Sequence, residues 1–573
     1  MHPLDTPLAG ERPLASVSRP HGAADLAVLG TLTTALAACG GGGGGAAPAP
    51  APSQPTPTID TSPPPSAAQA ARFLAQATLG ASKADIASVQ SSGYAAWLDS
   101  QFNLPGTEGH VAWLVANGYN VEANRHNTAG LNNTIWRKLV GSPDVLRQRM
   151  VLALSEICVV SLLGINSEWR QFVVAAYMDI LEANAFGNYR NLLQQMATSP
   201  AMGYYLTFRG SAKANPATGS QPDENYAREL MQLFTLGLTQ LNSDGTPRVS
   251  NGVPLDTYDQ ADVAGLARVF TGYELNTTGL SAPFPSDVYR RPMAVVASRH
   301  ETGAKTFLGT TIPAGTNGAQ SLDLALNVLF NHPNLPPFVS RQLIQRLVTS
   351  NPSPGYVGRV AAVFANNGAG VRGDLQAVLR AILLDGEARS DANLANPAFG
   401  KLREPVVRFL NWARGFGATS PSGVWAIGDL SDPATRLGQS PMHAGSVFNF
   451  FRPGYVPPNS AIGNQGLSGP EFQITTESSV AGYVNFMQRA ISGVGIGDVR
   501  ADYTPLLALA NDSAALLNEV NLVLAAGQVS AATLANLKAA LDTVLVTTPA
   551  GQLNRVHAAL TLVMAAPEYI AQK

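Results

Sequence analysis

Apolar residues recur at helical spacing through most of the chain that follows the first 65 residues. Ser66 precedes an Ala-rich run that carries Phe73 on its apolar side and ends near Gly80. A second segment, 82–93, repeats this order of cap, apolar face and stop, and 94–102 adds another amphipathic turn. This periodicity predicts short amphipathic helices joined as hairpins.

The same periodicity predicts a mainly α fold, a large multi-helix globular body with one or two small β-hairpins. Ser142-Pro143 opens a long helix that is apolar on almost every side from Val151 to Leu163, so we expect it to be central. A small hairpin is predicted at 242–253 and one short strand at 305–312. Further helices are predicted at 168–185, 188–197, 223–236, 261–271, 321–330, 337–348, 356–365, 375–384 and 401–413, with three more in 514–565.

The N-terminal segment resembles a bacterial lipoprotein signal peptide. An apolar stretch at 26–38 is too short to span a membrane and ends at Leu36-Ala37-Ala38-Cys39. We therefore predict a signal peptide at 1–39, lipidation of Cys39, and an exported protein anchored to the cell envelope. Gly40 favours the outer membrane over the inner one. The alternatives are a leader cleaved without lipidation and a chain that is never exported.

Residues 40–67 have the composition of a disordered linker, with consecutive glycines followed by Ala-Pro and Pro-Thr-Ser stretches. We expect this linker to act as a tether for a helical domain at 68–573, which could comprise two subdomains. Lipidation of Cys39 would leave Cys158 without a partner, since the chain has only two cysteines. Stability is therefore expected from core burial, with Cys158 as a small apolar side chain.

Charge excludes one class of partner. The formal net charge is −2, and charged residues are 13% of the chain, so nothing favours nucleic acid. The chain lacks the Gly-x-Ser-x-Gly, Gly-x-Gly-x-x-Gly and Cys-x-x-Cys-His motifs, which disfavours an ordinary esterase, a nicotinamide enzyme and a c-type cytochrome. No metal-ligand pattern is recognised, and the cofactor is left open.

One predicted helix carries a polar stripe. Asn225, Arg228, Glu229 and Gln232 share one face if the helix is regular. Such a stripe could bind a ligand, form hydrogen bonds between helices, or face solvent.

A carboxyl group also falls within an apolar helix. Glu156 would have a raised pKa there unless a cation pairs with it, which suits a general acid or a structural salt bridge. Arg149, two turns earlier on the same face, favours the bridge.

Two further clusters could contact substrate. His300, Glu301 and Lys305 lie beside a glycine turn, where His300 and Lys305 could transfer protons or bind an anion. Arg403 and Glu404 are candidates for ligand contact and, like Arg341, for ion pairs. His300 does not belong to a His-Glu-x-x-His metal motif, because Ala304 occupies the second His position.

Several segments together resemble the bacterial domain-of-unknown-function family 1800, in order through most of residues 68–573. They are RFLAQATLG (72–80), NYARELMQLFTLG (225–237), HETGAK (300–305), RGDL (372–375), KLREP (401–405) and SVFNF (446–450). The resemblance implies an exported, mainly helical protein and does not specify a reaction. Many members of the family carry a Trp-His-Asn-His-like segment where this chain has ALSEIC (153–158), so a role for those histidines does not carry over.

Two hypotheses from different classes remain. The first is a surface-anchored hydrolase or lyase that acts on an envelope or extracellular polymer. Glu229 or Glu156, with His300 and Arg228, would be catalytic; Asn225, Lys305, Arg403 and Glu404 would bind ligand. The second is a non-catalytic envelope lipoprotein that binds a glycan or assists a secreted partner protein. One cleft that gathers 225–229, 300–305 and 401–404 would favour the enzyme, whereas scattered buried pairs would favour the second hypothesis.

Overall fold

Helices dominate residues 64–573, the part of the chain that this computed structural model describes. The predicted signal peptide, Cys39 and nearly all of the linker lie outside the described residues. The mainly α prediction is confirmed, since the described strands form only two-stranded antiparallel sheets.

The first half of the described chain contains helices of four to fifteen residues. They are α1 (Ala67–Ala77), α2 (Lys83–Ser92), α3 (Tyr94–Phe102), α4 (His110–Ala116), α5 (Leu131–Gly141), α6 (Val145–Ile157), α7 (Arg170–Asn184), α8 (Tyr189–Thr198), α9 (Pro200–Tyr205), α10 (Asn225–Glu229), α11 (Gln260–Ala267), α12 (Gly318–Asn331), α13 (Leu335–Leu347), α14 (Pro354–Ala365), α15 (Leu375–Leu384) and α16 (Gly386–Arg389).

The second half continues with α17 (Pro405–Gly415), α18 (Ala461–Asn464), α19 (Glu477–Ile491), α20 (Thr504–Leu507), α21 (Ser513–Ala525), α22 (Ala531–Asp542), α23 (Pro549–Ala565) and α24 (Pro567–Ile570). The strands pair consecutively as β1 (Val249–Ser250) with β2 (Val253–Pro254), β3 (Tyr273–Glu274) with β4 (Ala294–Val295), β5 (Lys305–Phe307) with β6 (Thr310–Ile312), and β7 (Lys401–Leu402) with β8 (Ala571–Gln572).

Local signals explain several helix bounds. Ser66 and Gln69 form a capping box at the start of α1, and Ser82 with Asp85 does the same for α2. The helix α6 is buried on nearly every side, as its apolar sequence predicts, but it begins at Val145 rather than at Ser142. The apolar pattern thus identifies the helix more reliably than its first turn.

Two predicted elements are corrected. Lys401 does not begin a helix: Lys401 and Leu402 form β7, which pairs with the C-terminal strand β8, and α17 begins only at Pro405. The single strand predicted at 305–312 is a hairpin that turns at Leu308 and Gly309. In both cases, pairing with another strand determines the structure of a short segment.

Core packing stabilises the fold. Cys158 is buried and is the free cysteine of the described residues, as expected of a small apolar side chain. Burial raises the pKa of its thiol to about 12, which opposes a nucleophilic role. No helix within 64–573 combines the length and apolar character needed to cross a bilayer.

Candidate functional site

A cavity of about 720 Å³ opens beside the C-terminal end of α6. Its walls come from four parts of the chain: Glu156 and Ile157 of α6, residues 232–241, one face of α13, and the loop 447–456. This volume is within the usual range for small-molecule sites, about 300–1,000 Å³.

One wall is built by a π-helix. Leu230–Thr235 continues α10 with π-helical geometry, and Gln232 and Leu233 from it line the cavity. Gly237 ends this segment with φ +73°, and a Cβ there would lie 2.6 Å from the ring of Phe338 on the opposite wall. Single-turn π-helices are frequent at functional sites because they re-aim side chains.

The opposite wall presents one face of α13. Phe338, Arg341, Gln342 and Gln345 recur every three or four residues and therefore point to the same side. The amide of Gln345 donates to the carbonyl of Ser350 at 2.9 Å, which fixes this side chain. The wall combines an aromatic ring, amides and a guanidinium group.

Beneath the cavity lies a group of six buried ionisable residues, which we call the buried charge cluster. Its members come from α6, α13, β7, the residue before α17, and the 3-10 helix Pro470–Ile474. None of them is more than 5% exposed. The members are Arg149, Glu156, Arg346, Lys401, Glu404 and Glu471.

Lys401 is the centre of the cluster. Its ammonium lies 3.2 Å from Glu404 and 3.1 Å from Glu471, and it donates to the carbonyl of Arg346 at 2.8 Å. The second oxygen of Glu404 accepts a hydrogen bond of 2.8 Å from Gln439. Glu404 is therefore held as an anion by a cation and an amide.

Glu156 is in a different situation. Neither of its oxygens accepts a hydrogen bond from a protein N–H or O–H, and Arg346 Nε lies 3.5 Å from Oε2. Its carboxyl group faces that of Glu404 within hydrogen-bonding reach. Ionisation of one of two adjacent buried carboxyl groups disfavours ionisation of the other, so the two groups titrate as a coupled pair.

The surroundings shift the pKa values of the two carboxyl groups in opposite directions. Burial and the neighbouring charge of Glu404 raise the pKa of Glu156 well above its usual range. Burial also penalises the Glu404 anion, but Lys401, the proton of Glu156, Arg346 and Arg149 together lower its pKa to about 2. Glu156 is in the last turn of α6, where the negative end of the helix dipole favours the protonated acid. Glu404 precedes the first turn of α17, where the positive end favours the carboxylate.

This arrangement gives a carboxylic acid at the edge of a cavity. Glu156 lines the cavity, whereas Glu404 is fully buried behind it. Environments that separate the pKa values of two neighbouring carboxyl groups are typical of acid–base sites. The geometry therefore supports Glu156 as the proton donor and Glu404 as a positioning residue.

The expected partner of Glu156 is corrected. Arg149 forms no ion pair with Glu156 among the described residues and instead donates to the carbonyl of Arg346 at 2.6 Å. The cation nearest to Glu156 is Arg346, from α13. Helical spacing identifies Arg149 because it is on the same helix, but it gives no information on Arg346, which is 190 residues away in the sequence.

The predicted polar stripe is divided by the change from α- to π-helix. Arg228 bonds Glu224 and Gln260 at 3.1 and 3.0 Å, which is an interhelical surface network. Glu229 is buried, with one oxygen unpartnered and a pKa raised by burial, but it does not line the cavity. Asn225 lies beside Thr207, 3.4 Å away. Of the stripe, only Gln232 reaches the cavity.

The cluster at 300–305 packs against α11. His300 Nδ1 lies 2.9 Å from the carbonyl of Thr271 and donates to it, and burial lowers the pKa of the ring. Lys305 is fully buried, and its ammonium is 3.5 Å from the carbonyl of Gly303. Glu301 pairs with Arg268 at 3.2 Å.

Arg403 faces away from the cavity. It donates to the carbonyl of Leu524 at 2.9 Å, and its guanidinium lies 4.5 Å from the centre of the Tyr569 ring. It has no ion pair among the described residues, and neither has Arg341, although both were ion-pair candidates.

The three predicted groups do not meet in one cleft. Within 64–573, no hydrogen bond or ion pair joins residues 225–229, 300–305 and 401–404 to each other. The site at Glu156 instead depends on Arg346, Lys401, Gln439 and Glu471, which sequence reasoning did not assign to a site. The available signals were Glu156 in an apolar helix and Lys401 and Glu404 in one motif.

One described group has the composition of a metal site. Ligand atoms of His110, Asp179 and Glu182 lie within 4.8 Å of one another. However, Lys138 donates to Glu182 at 2.6 Å, and Asp179 accepts the backbone N–H groups of His110 and Val111. The buried ammonium of Lys138 already supplies positive charge there, so we assign this group a structural role at the start of α4.

Together, these features define a helical protein with a buried carboxyl pair at the edge of a cavity. A comparison with protein families matches residues 72–571 to the family described as protein of unknown function (DUF1800). This match covers most of the chain, which therefore belongs to that family and confirms the resemblance of its sequence segments. Searches of curated proteins and of solved structures found no match.

The raised pKa of Glu156 predicts a pH-dependent effect of Glu156→Gln. A raised folded pKa contributes stability below the ordinary glutamic acid pKa, and this contribution is lost as the pH rises through the folded value. Gln mimics the protonated acid and never ionises. The unfolding free energy of Glu156→Gln relative to wild type should therefore be greater at pH 8 than at pH 4.5, by about 1–3 kcal/mol.

Urea unfolding at the two pH values measures this difference. The exposed Glu477→Gln in the first turn of α19 is the control and should show no comparable gain. An equal difference between Glu156→Gln and wild type at both pH values would show that Glu156 is not protonated in the fold.

Proposed function

We propose that the protein is a surface-anchored hydrolase or lyase that acts on an envelope or extracellular polymer, with Glu156 as its proton donor. One observation carries this proposal: a buried carboxyl group, facing a second one, borders a cavity large enough for several sugar units. A general acid with a raised pKa, held next to the bond to be broken, accelerates such reactions by about 10²–10⁴-fold.

The residues around Glu156 support a proton cycle. Glu156 transfers its proton to the leaving oxygen of the substrate as the bond breaks, which leaves a carboxylate. The other fragment takes the hydroxyl of a water molecule in a hydrolase, or loses a proton from the neighbouring carbon in a lyase, and in either case one proton is released. Arg346, 3.5 Å away, stabilises that carboxylate until a proton returns from water or substrate. Lys401 and Gln439 hold Glu404 in place, so that its negative charge keeps the proton on Glu156 in the resting state.

The proposal includes the location of the protein. The signal-like segment and Cys39 support export and attachment to the envelope by lipid, with Gly40 favouring the outer membrane. The Gly- and Pro-rich residues that follow would hold the body away from the lipid surface, where a polymer is accessible.

The second candidate is the non-catalytic envelope lipoprotein. It is favoured by the packing of His300, Lys305 and Arg403, whose polar groups mostly bond carbonyl groups inside the fold. In this case the cavity would bind a glycan, or a segment of a secreted partner, without a reaction.

Activity measurements on polymer libraries with purified residues 64–573 separate the two functions. Glu156→Gln should lower kcat by at least about 100-fold, because Gln cannot donate the proton, while KM changes little. Glu229→Gln is the matched control, since it alters another buried carboxyl group outside the cavity, and it should retain activity. Loss of activity only in Glu229→Gln would contradict the assignment, and no turnover of any polymer would favour the second candidate.

Lipidation is tested in the full-length chain. Radiolabelled palmitate should enter the wild-type protein and be absent from Cys39→Ser, which should be found in the soluble fraction. Cys158→Ser controls for acylation of the second cysteine and should be labelled like wild type. Equal labelling of wild type and Cys39→Ser would contradict the anchor.

A further inference from the structure

Two arginines at the cavity have no polar partner among the described residues. Arg341 lies on α13 and Arg452 on the loop 447–456, and both side chains are exposed where they line the cavity. Among the described residues, neither guanidinium forms an ion pair or a hydrogen bond with protein. Most other arginines of residues 64–573 bond a carboxylate or a carbonyl, so these two are available to a ligand.

The charge of the cavity is positive at its floor as well. Arg346 lines the floor of the cavity, where its Nε lies 3.5 Å from Glu156. Glu156 is also the only acidic residue among the described residues that line the cavity, against three arginines. Although Arg341 is exposed to the cavity, the protein atoms around it partly remove water from the guanidinium and lower its pKa, and a bound anion would offset that cost.

The remaining lining suits a sugar chain. Phe338, Phe448 and Tyr455 offer aromatic faces for the apolar sides of sugar rings, and Gln232 and Gln342 offer amides to hydroxyl groups. The guanidinium of Arg452 lies 4.7 Å from the centre of the Phe448 ring, so a charge and a stacking surface are presented together.

We infer that the cavity binds an acidic oligosaccharide, whose carboxylate or sulfate groups are held by Arg341 and Arg452 while its rings lie on the aromatic wall. This inference rests on the proposed function, for which it specifies the substrate class. Guanidinium groups bind both kinds of oxyanion through paired N–H donors, so the probes below distinguish the two sources.

Calorimetric titration of residues 64–573 with hexagalacturonate, a heparin-derived hexasaccharide and neutral maltohexaose tests the inference. At least one acidic probe should bind at low salt, more weakly as salt increases, and more tightly than maltohexaose by about tenfold or more. Arg341→Gln and Arg452→Gln should each weaken binding about tenfold. Arg489→Gln, an exposed arginine on α19 outside the cavity, should leave it unchanged.

The acidic probe that binds identifies carboxylate or sulfate as the recognised group. Maltohexaose binding as tightly as the acidic probes, wild-type affinity in the double variant Arg341→Gln/Arg452→Gln, or no binding of either acidic probe would overturn the inference. Glu156→Gln should bind like wild type, which separates the two proposals. Acidic binding without turnover contradicts the enzyme alone, and turnover of a neutral polymer without acidic binding contradicts the substrate class alone.

Discussion

The contact between the buried carboxyl groups of Glu156 and Glu404 constrains much of this structure. Two buried negative charges held side by side are costly unless cations or a proton offset them. Lys401 and Gln439 stabilise the Glu404 anion, and burial together with Glu404 raises the pKa of Glu156. The surrounding elements are arranged to meet this requirement.

The same constraint joins the architecture to the site. The buried charge cluster connects α6, α13, β7 and the start of α17, which are distant in sequence, and β7 also pairs with the C-terminal strand β8. Loss of one cluster cation would leave a buried carboxylate unpaired, at a cost of about 3–5 kcal/mol. The contacts that position Glu156 therefore also stabilise the fold, and the cavity lies against the buried charge cluster.

Sequence patterns predicted the parts of this protein that depend on local chemistry. Helices with apolar faces, such as Tyr94–Phe102 and Leu375–Leu384, have the predicted bounds. Lys401–Leu402 and the π-helix were not predicted, because strand pairing with the C-terminus and i+5 hydrogen bonds depend on partners outside the local pattern. For the same reason Glu156 was recognised as a buried acid, but its partners Arg346 and Glu404 lie too far along the chain for helical spacing to find.

The most direct test is the infrared spectrum of the folded protein at neutral pH, with glutamate carboxyl groups labelled with ¹³C. A proton on Glu156 predicts the carbonyl stretch of a protonated carboxylic acid, whose intensity should fall in Glu156→Gln and stay unchanged in the surface variant Glu477→Gln. Absence of this band from wild type, or an unchanged band in Glu156→Gln, would contradict the account.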